Sequence, residues 1–504
     1  MAQTDRDTDA ANTGGSLSEI RQQRLNKLHD LAANDIDAYG GRVDGITRTA
    51  DARETFEAAG DEAEESVTVA GRLTAKRNMG KSVFADVSDE DGRLQVYVQK
   101  NKVGEDAFNV FKSLDMGDII SVGGPLFRTR TGEVTVRAEK YQVLAKSLRP
   151  LPEKWHGLTD VEQRHRQRYL DLISNGEVLA TFKRRIEIIR RIRSFLDERG
   201  FLEVETPMLQ PIPGGAAARP FETYYTALGC PMYLRIAPEL YLKRLLIGGF
   251  EKVYEINRNF RNEGLSRHHN PEFTMIEIYQ AYGDCRTMMD LVEELVSEVA
   301  AAVLGTSKIE SGPDVIDLER PWRRVAYYDL VREHLGENWY DLSLEEQRQR
   351  AEHLGVSVSH QMTATEVTHE IYEKVIEETL IQPTFVTRLP VHLVPLAKRC
   401  QDDPTVVDVF ELEINGQEIA PGYSELNDPV EQRRRLEEQA SVRHGEAAEG
   451  RLDEDFLVAM EHGMPPAGGM GIGIDRLVMT LLGVPSIRDV ILFPQLRPLN
   501  QESR

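Results

Sequence analysis

The sequence predicts a multidomain protein in which a small β-barrel of the OB-fold type precedes a larger α+β domain. Three observations carry this. The chain has 504 residues, more than one hydrophobic core holds, so length implies two to four domains. Residues 66–146 are a succession of short runs rich in Val, Ile and aromatics, bounded by Asp-Gly, Gly-Gly and Thr-Gly turns. Later strand-like runs, at 273–282, 406–428 and 468–473, alternate with long helical patterns.

Composition narrows the class. A hydrophobic content of 40% with 29% charged residues is that of a soluble globular protein. No apolar run approaches the ~20 residues of a membrane span. The first 15 residues, MAQTDRDTDAANTGG, are polar and acidic; they read as a disordered tail, not a signal peptide. Three cysteines without CxxC spacing argue against a zinc site or disulfide framework and fit a reducing, cytoplasmic setting. The net charge of −22 argues on average against nucleic acid, though a local basic face could still hold phosphates. The acidic excess reads as a solvated surface.

The elements follow in order. Residues 16–65 form a helical segment, with Leu17, Ile20, Leu25, Leu28 and Leu31 at helical spacing. Residues 66–146 hold about five strands, the number of an OB-fold. Such barrels bind single-stranded nucleic acid through stacking aromatics and polar side chains, which makes Arg77, Phe84, Gln95 and Glu133 candidates, with Phe84 reading first as a core residue. Residues 147–180, opening with SLRPLPEKWHGLTD, form a linker. The domain at 181–504 begins with a helix that places Ile186, Ile189, Ile192, Phe195 and Leu196 on one face and stops at Gly200. FLEVE is then a strand, ended by Pro207. Residues 284–385 read as a helical insertion. No internal repeat is present.

Chemistry concentrates in three places. As a strand, FTMIEIYQAY puts Phe273, Met275, Glu277 and Tyr279 on one face, with Ile276 and Ile278 turned to the core. A carboxylate among such neighbours needs a partner: a salt bridge to Arg258 or Arg261, or a cationic substrate. The run VVDVFELEINGQEIAPGYSELND is a hairpin around Asn415-Gly416. A two-residue turn there sets residue 413 opposite 418 and residue 411 opposite 420, so Glu411, Glu413 and Glu418 share a face. Opposed like charges destabilise a sheet, and Mg²⁺, which takes few carboxylates and shares phosphate ligands, suits them. In GGMGIGIDRLVM, the glycines at 468, 469, 471 and 473 fit neither GxxxxGK[ST] nor GxGxxG. They would let a flat ligand lie on a strand, ahead of a helix capped by Asp475 and carrying Arg476 in its first turn. Together these features point to nucleotide-dependent activation of an amine-bearing molecule.

These segments resemble the bacterial class II lysyl-tRNA synthetases from about residue 17 to 498. GFLEVETPML with the helix before it resembles motif 1, FRNEG…HNPEFTMIEIYQAY motif 2 and GMGIGIDRLVM motif 3. APELYLKRLLIGGFEKVYEINRNFRNEG and YSELNDP resemble the lysine branch more than the aspartyl or asparaginyl one. The resemblance implies an antiparallel catalytic sheet flanked by helices, an anticodon-reading OB-fold and a homodimer built on motif 1. It implies ATP and Mg²⁺, with L-lysine and lysine tRNA as substrates. Arg261 would contact the α-phosphate and the lysine carboxylate; Glu263, His269 and Asn270 would help hold ATP; Phe273 and Arg476 would sandwich adenine. Glu411 and Glu418 match the metal positions, Gly215 and Glu239 the substrate α-amine, and Glu277, Tyr279, Tyr423 and Glu425 the amine pocket. The chain departs from the family at Pro421, where an Asn is usual, at His392 and Val394, where Glu and Ser are common, and at His268 in place of Arg. Two rivals remain: a paralogue that attaches lysine or an isomer to a protein, and a non-catalytic nucleic-acid-binding relative. The former typically lacks the OB-fold.

Overall fold

The computed structural model describes residues 16–60, 65–152, 158–216, 218–394, 396–442 and 452–498; the acidic segment 1–15 lies outside them. The chain divides into two compact units, residues 1–161 with 169–175, and residues 162–168 with 176–504.

In the first unit, the helices Leu17–Ala33 and Thr49–Ala59 precede six strands, one more than the sequence suggests. They are β1 (Ser66–Asn78), β2 (Ser82–Ser88), β3 (Arg93–Gln99), β4 (Ile119–Arg128), β5 (Val134–Arg137) and β6 (Lys140–Ala145). The order β1-β2-β3-β5-β4-β6 is closed by β1–β4 pairing, which leaves no long free edge. Strict alternation builds the barrel interior: Val83, Ala85 and Val87 face inward from β2, and Leu94, Val96 and Val98 from β3. Phe108 and Phe111, on the helix Glu105–Ser113, fill one end. Phe84 falls between the inward positions, so it is not a core residue; it lies half-buried on the outer face.

The second unit is built on a sheet ordered β15-β16-β17-β18-β19-β12-β11-β7. Its strands are β7 (Leu202–Glu203), β11 (Lys252–Phe260), β12 (Glu272–Ala281), β15 (Arg323–Ala326), β16 (Thr384–Thr387), β17 (Val409–Glu413), β18 (Glu418–Ser424) and β19 (Ala467–Gly473). Two smaller sheets join β8 (Leu209–Gln210), β9 (Glu222–Tyr225) and β10 (Cys230–Leu234), and β13 (Lys308–Ser311) with β14 (Asp314–Asp317). The large sheet is mixed, not wholly antiparallel: β15–β16 and β11–β7 pair in parallel at its two edges. Nor is the span 284–385 only helical, since β15 and β16 contribute one side of that sheet. Four-residue strands carry too little periodicity to stand out between long helices.

The sheet has one apolar and one polar face. Ile276, Ile278, Met470, Ile472, Phe410, Leu412 and Ile414 pack against the helices Gly176–Glu198, Cys285–Leu304 and Ile474–Leu482. In the first of these helices the buried face is Ile188, Ile192, Phe195 and Leu196, whereas Ile186 is 55% exposed. Residues paired across neighbouring strands point the same way, so the opposite face collects Glu255, Asn257 and Asn259 from β11 with Phe273, Met275, Glu277 and Tyr279 from β12. Gly469, Gly471 and Gly473 of β19 lie alongside, then Tyr423 and Pro421 of β18 and Glu411 of β17.

Candidate active site

The polar face carries three groups of residues: a cleft, a carboxylate hairpin and a buried amine pocket. The cleft, of about 840 Å³ including its open mouth, is lined by Arg261, Glu263, His269, Asn270, Phe273, Glu418, Pro421, Gly471, Gly473 and Arg476 among others. It gathers all six residues expected around ATP. The Arg261 guanidinium lies 5.2 Å from the Phe273 ring centroid, and its buried Nε has no hydrogen-bond partner. A buried donor without a partner is costly, and an anion in the cleft would satisfy it. Arg476 donates to the Glu418 carbonyl at 2.9 Å and to His269 Nε2 at 3.1 Å. Accepting at Nε2 requires that this nitrogen carry no proton, and burial, then the Arg476 charge, lowers the His269 pKa. His269 Nδ1 is 2.8 Å from the Ser266 hydroxyl. Asn270 is tied at both ends, to the carbonyl of Glu272 and the amide of Gln495, so its side chain shapes the cleft wall. Asp475 is not the cap the sequence suggests. It accepts from the Thr274 amide at 2.7 Å and pairs with Arg185 at 2.6 Å, fastening the helix beneath Arg476 to β12.

The hairpin turns at Asn415 and Gly416, both at positive φ (61° and 67°), the pair of conformations that a type I′ turn demands. Glu413 opposes Glu418 as expected, but one extra residue on β18 sets Glu411 opposite Pro421 instead of residue 420. Leu412 and Ile414 are fully buried on the core side. Glu411 and Glu413 are both held well above the usual carboxylate range, first by burial and then by neighbouring carboxylates. One oxygen of Glu413 is buried without a partner. Sequence reasoning missed two residues here. The Tyr372 hydroxyl lies 3.3 Å from Glu411 and 3.4 Å from Glu413. Glu377 accepts from the Glu418 amide at 3.1 Å and is pushed up to about 7 by burial and by Glu418. Among the described residues no three acidic, His or Cys side chains already form a metal cage. Mg²⁺ needs only one or two carboxylates besides phosphate oxygens, so Glu411 and Glu418 fit it.

The third group sits where the helix Glu239–Ile247 covers the Tyr279 end of the sheet. Glu277 is 4% exposed and accepts from the Tyr279 hydroxyl at 3.0 Å. Neither expected arginine pairs with it: Arg258 lies 3.9 Å from Glu272. Burial, then Glu239, pushes Glu277 well up. Glu425, fully buried, is pushed to about 7 by burial against the opposing pull of Lys243. Gly215, at φ +85°, approaches Glu239 so closely that a Cβ would stand 3.0 Å from the Cβ of Glu239. Burial and surrounding carboxylates raise the Tyr279 and Tyr423 phenols well above their usual range, so both are neutral. The glycines of β19 divide their work. Gly471 and Gly473 line the cleft, whereas a Cβ at Gly469 would stand 2.0 Å from Glu425 and 2.5 Å from the Tyr279 ring. Gly469 therefore makes room for the pocket's own side chains and not for a flat ligand. Three buried carboxylates, two of them paired with the Lys243 ammonium, thus share one pocket with two neutral phenols.

In the first unit, the outer barrel face brings Phe84 and Tyr97 into a stack, 4.4 Å between centroids. Phe127 lies 6.0 Å from Tyr97, with the Arg137 guanidinium 4.6 Å from the Phe127 centroid. Arg77 pairs across from Phe84. Gln95 accepts from Thr135 at 3.0 Å, and Glu133 lies 3.8 Å from Arg53. Tyr97, Phe127 and Arg137 were not evident from sequence; the alternation of Tyr97 and Arg137 with buried valines in β3 and β5, and the place of Phe127 next to buried Leu126 in β4, were the available signs.

Known proteins resemble the chain along nearly its whole length. Residues 67–144 match the family described as OB-fold nucleic acid binding domain. The chain is 52% identical over 484 residues to the lysine–tRNA ligase of Carboxydothermus hydrogenoformans, covering 96% of this chain and 99% of that protein. It is 50% identical over 490 residues to the lysine–tRNA ligase of Bacillus subtilis (95% and 98% covered) and 49% identical over 486 residues to that of Staphylococcus aureus (95% and 98%). Residues 160–497 match the family of class II tRNA synthetases for D, K and N, and the chain, whose cleft, hairpin and amine pocket all lie within that span, belongs to this family.

Proposed function

We propose that the protein is a lysine–tRNA ligase: it activates L-lysine with ATP to lysyl-adenylate and transfers lysine to the 3′ end of lysine tRNA. The observation that carries the lysine assignment is the buried trio Glu239, Glu277 and Glu425 beside the Arg261 cleft. An analogue lacking the ε-amine leaves a buried carboxylate without a cation, a large penalty in a buried site. The near-full-length identity to lysine–tRNA ligases supports the same reading.

The residues divide the work by charge. Glu277, Glu425, Tyr279 and Tyr423 take the ε-amine, and Gly215 and Glu239 the α-amine. This leaves the substrate carboxylate facing Arg261, which also meets the α-phosphate and stabilises the charge that develops as the carboxylate oxygen attacks phosphorus and pyrophosphate leaves. No protein base is needed, because the nucleophile is already ionised. Phe273 and Arg476 hold adenine, with Glu263, His269 and Asn270 on the cleft wall. Glu411 and Glu418 would hold Mg²⁺, which when bound neutralises phosphate oxygens. Most of the acceleration comes from positioning two substrates in one cleft.

The barrel face of Phe84, Tyr97, Phe127, Arg77 and Arg137 offers stacking surfaces and cations to the anticodon bases, with Gln95 and Glu133 at its margin. A homodimer is supported by exposed apolar residues around β8, β9 and β10: Met208, Leu209, Tyr224, Tyr225 and Leu228, each at least 43% exposed. No helix among the described residues is long and apolar enough to cross a membrane, in keeping with a cytoplasmic enzyme. Lysine-dependent ATP–pyrophosphate exchange followed by tRNA charging tests the assignment; exchange without charging would favour a protein-modifying relative.

A further inference from the structure

The helix that closes the amine pocket contains a cation to which neither the resemblance nor the activation chemistry gives a role. Lys243 is fully buried, with its Nζ 2.6 Å from Glu239 and 2.5 Å from Glu425. A buried ion pair seldom outperforms well-packed apolar side chains, and Lys243 lies on a helix with buried Leu240, Leu242 and Leu246. Its two partners belong to different ends of the proposed substrate, Glu239 to the α-amine and Glu425 to the ε-amine. We propose that Lys243 is a positioning residue for lysine recognition: its ammonium fixes the spacing of Glu239 and Glu425 and sets the pocket charge that a substrate with two ammonium groups balances. This rests on the lysine–tRNA ligase reading and assigns that site a specificity determinant.

The charges can be followed group by group. Lys243 interacts with Glu239 from its own helix and Glu425 from the segment after β18; around these two carboxylates lie Glu277 and Tyr279 from β12 and Tyr423 from β18, with Glu255 of β11 next to Glu277. Glu255 is neutralised by Arg235 at 2.6 Å, and both tyrosines are neutral. The pocket therefore holds three carboxylates and one internal ammonium, which pairs with two of them. Lysine brings two more ammonium groups, while its carboxylate is directed to Arg261. The loaded pocket then holds three of each sign, and a substrate with one ammonium leaves a buried carboxylate unpaired. Without Lys243 the loaded pocket has one carboxylate in excess, which must take up a proton. Removing a nearby cation raises the carboxylate pKa values. A protonated carboxyl holds an ammonium poorly, so the variant should lose lysine as pH falls and regain it as pH rises.

The test is lysine-dependent ATP–pyrophosphate exchange by the full-length protein, Lys243→Met and Lys243→Arg, between about pH 6.5 and pH 9. Lys243→Met is expected to raise the KM for lysine by roughly tenfold or more near pH 7, leave the KM for ATP within about twofold, and approach wild type at the alkaline end. Lys243→Arg keeps the charge in another geometry, so its KM for lysine should rise with the wild-type pH profile. A wild-type KM and profile in Lys243→Met, or a loss confined to kcat, would overturn the proposal. If Lys243→Met does not fold, Lys243→Arg decides: a changed pH profile, or an unchanged KM, contradicts it. Wild-type protein that fails to exchange with lysine would instead reject the ligase reading itself.

Discussion

Gly469 shows how one residue's size defines the amine pocket. Its missing side chain is where Glu425 and the Tyr279 ring lie. Gly469→Ala should therefore raise the KM for lysine at least about tenfold while the KM for ATP changes little, because Gly471 and Gly473, not Gly469, line the cleft. Arg261 acts on the chemical step instead. Arg261→Ala should lower kcat for pyrophosphate exchange by about 10²–10³-fold, the usual loss of a charge-stabilising donor. Much of this scale was legible in the sequence, since Glu277 stands out as a carboxylate in an apolar strand and Arg476 follows a run of glycines. Lys243 was not, although it sits one helical turn after Glu239. An i,i+4 Glu–Lys pair is common on exposed helices, so only burial reveals its meaning. Phe84 failed for the opposite reason: an aromatic in a strand reads as core until the register shows which face it takes.

At the scale of elements, the carboxylate hairpin is the informative piece. Its turn was legible because Asn-Gly has a backbone reason to be there; the bulge on β18 was not, because nothing in the local composition marks an extra residue. A Cβ at Gly416 would stand 2.9 Å from the Glu378 carbonyl oxygen at φ +67°. Gly416→Ala should thus lower unfolding stability by about 1–3 kcal/mol, read by denaturant titration. The same hairpin predicts a pH dependence. Glu377 is raised from 4.5 to about 7, and Glu411 and Glu413 are also raised. For groups raised on folding, the stability held by their protonated forms is complete below the unfolded value and lost as pH climbs through the folded one. Without added ligand, the melting temperature should fall between about pH 6 and pH 8. Mg²⁺ with ATP, which needs the ionised forms, should raise it more at pH 8 than at pH 6. Equal shifts at both would argue against a cation site at the hairpin.

For the whole molecule, the two-part organisation was legible because strand-rich and helix-rich stretches differ in period over tens of residues. The mixed edges of the sheet were not, because β7 has two residues and β15 and β16 four each. The exposed apolar cluster around β8, β9 and β10 is a property of the whole surface, visible only after folding. Leu228→Asp, at a residue 69% exposed, should shift the protein from dimer to monomer in light scattering without unfolding it. The central claim is that three buried carboxylates select lysine for ATP-dependent activation. ATP–pyrophosphate exchange with lysine, arginine, ornithine and β-lysine, followed by charging of lysine tRNA, tests it most directly. The account predicts exchange and charging with lysine and little with the others; no exchange with any of the four, or preference for another amine, would contradict it.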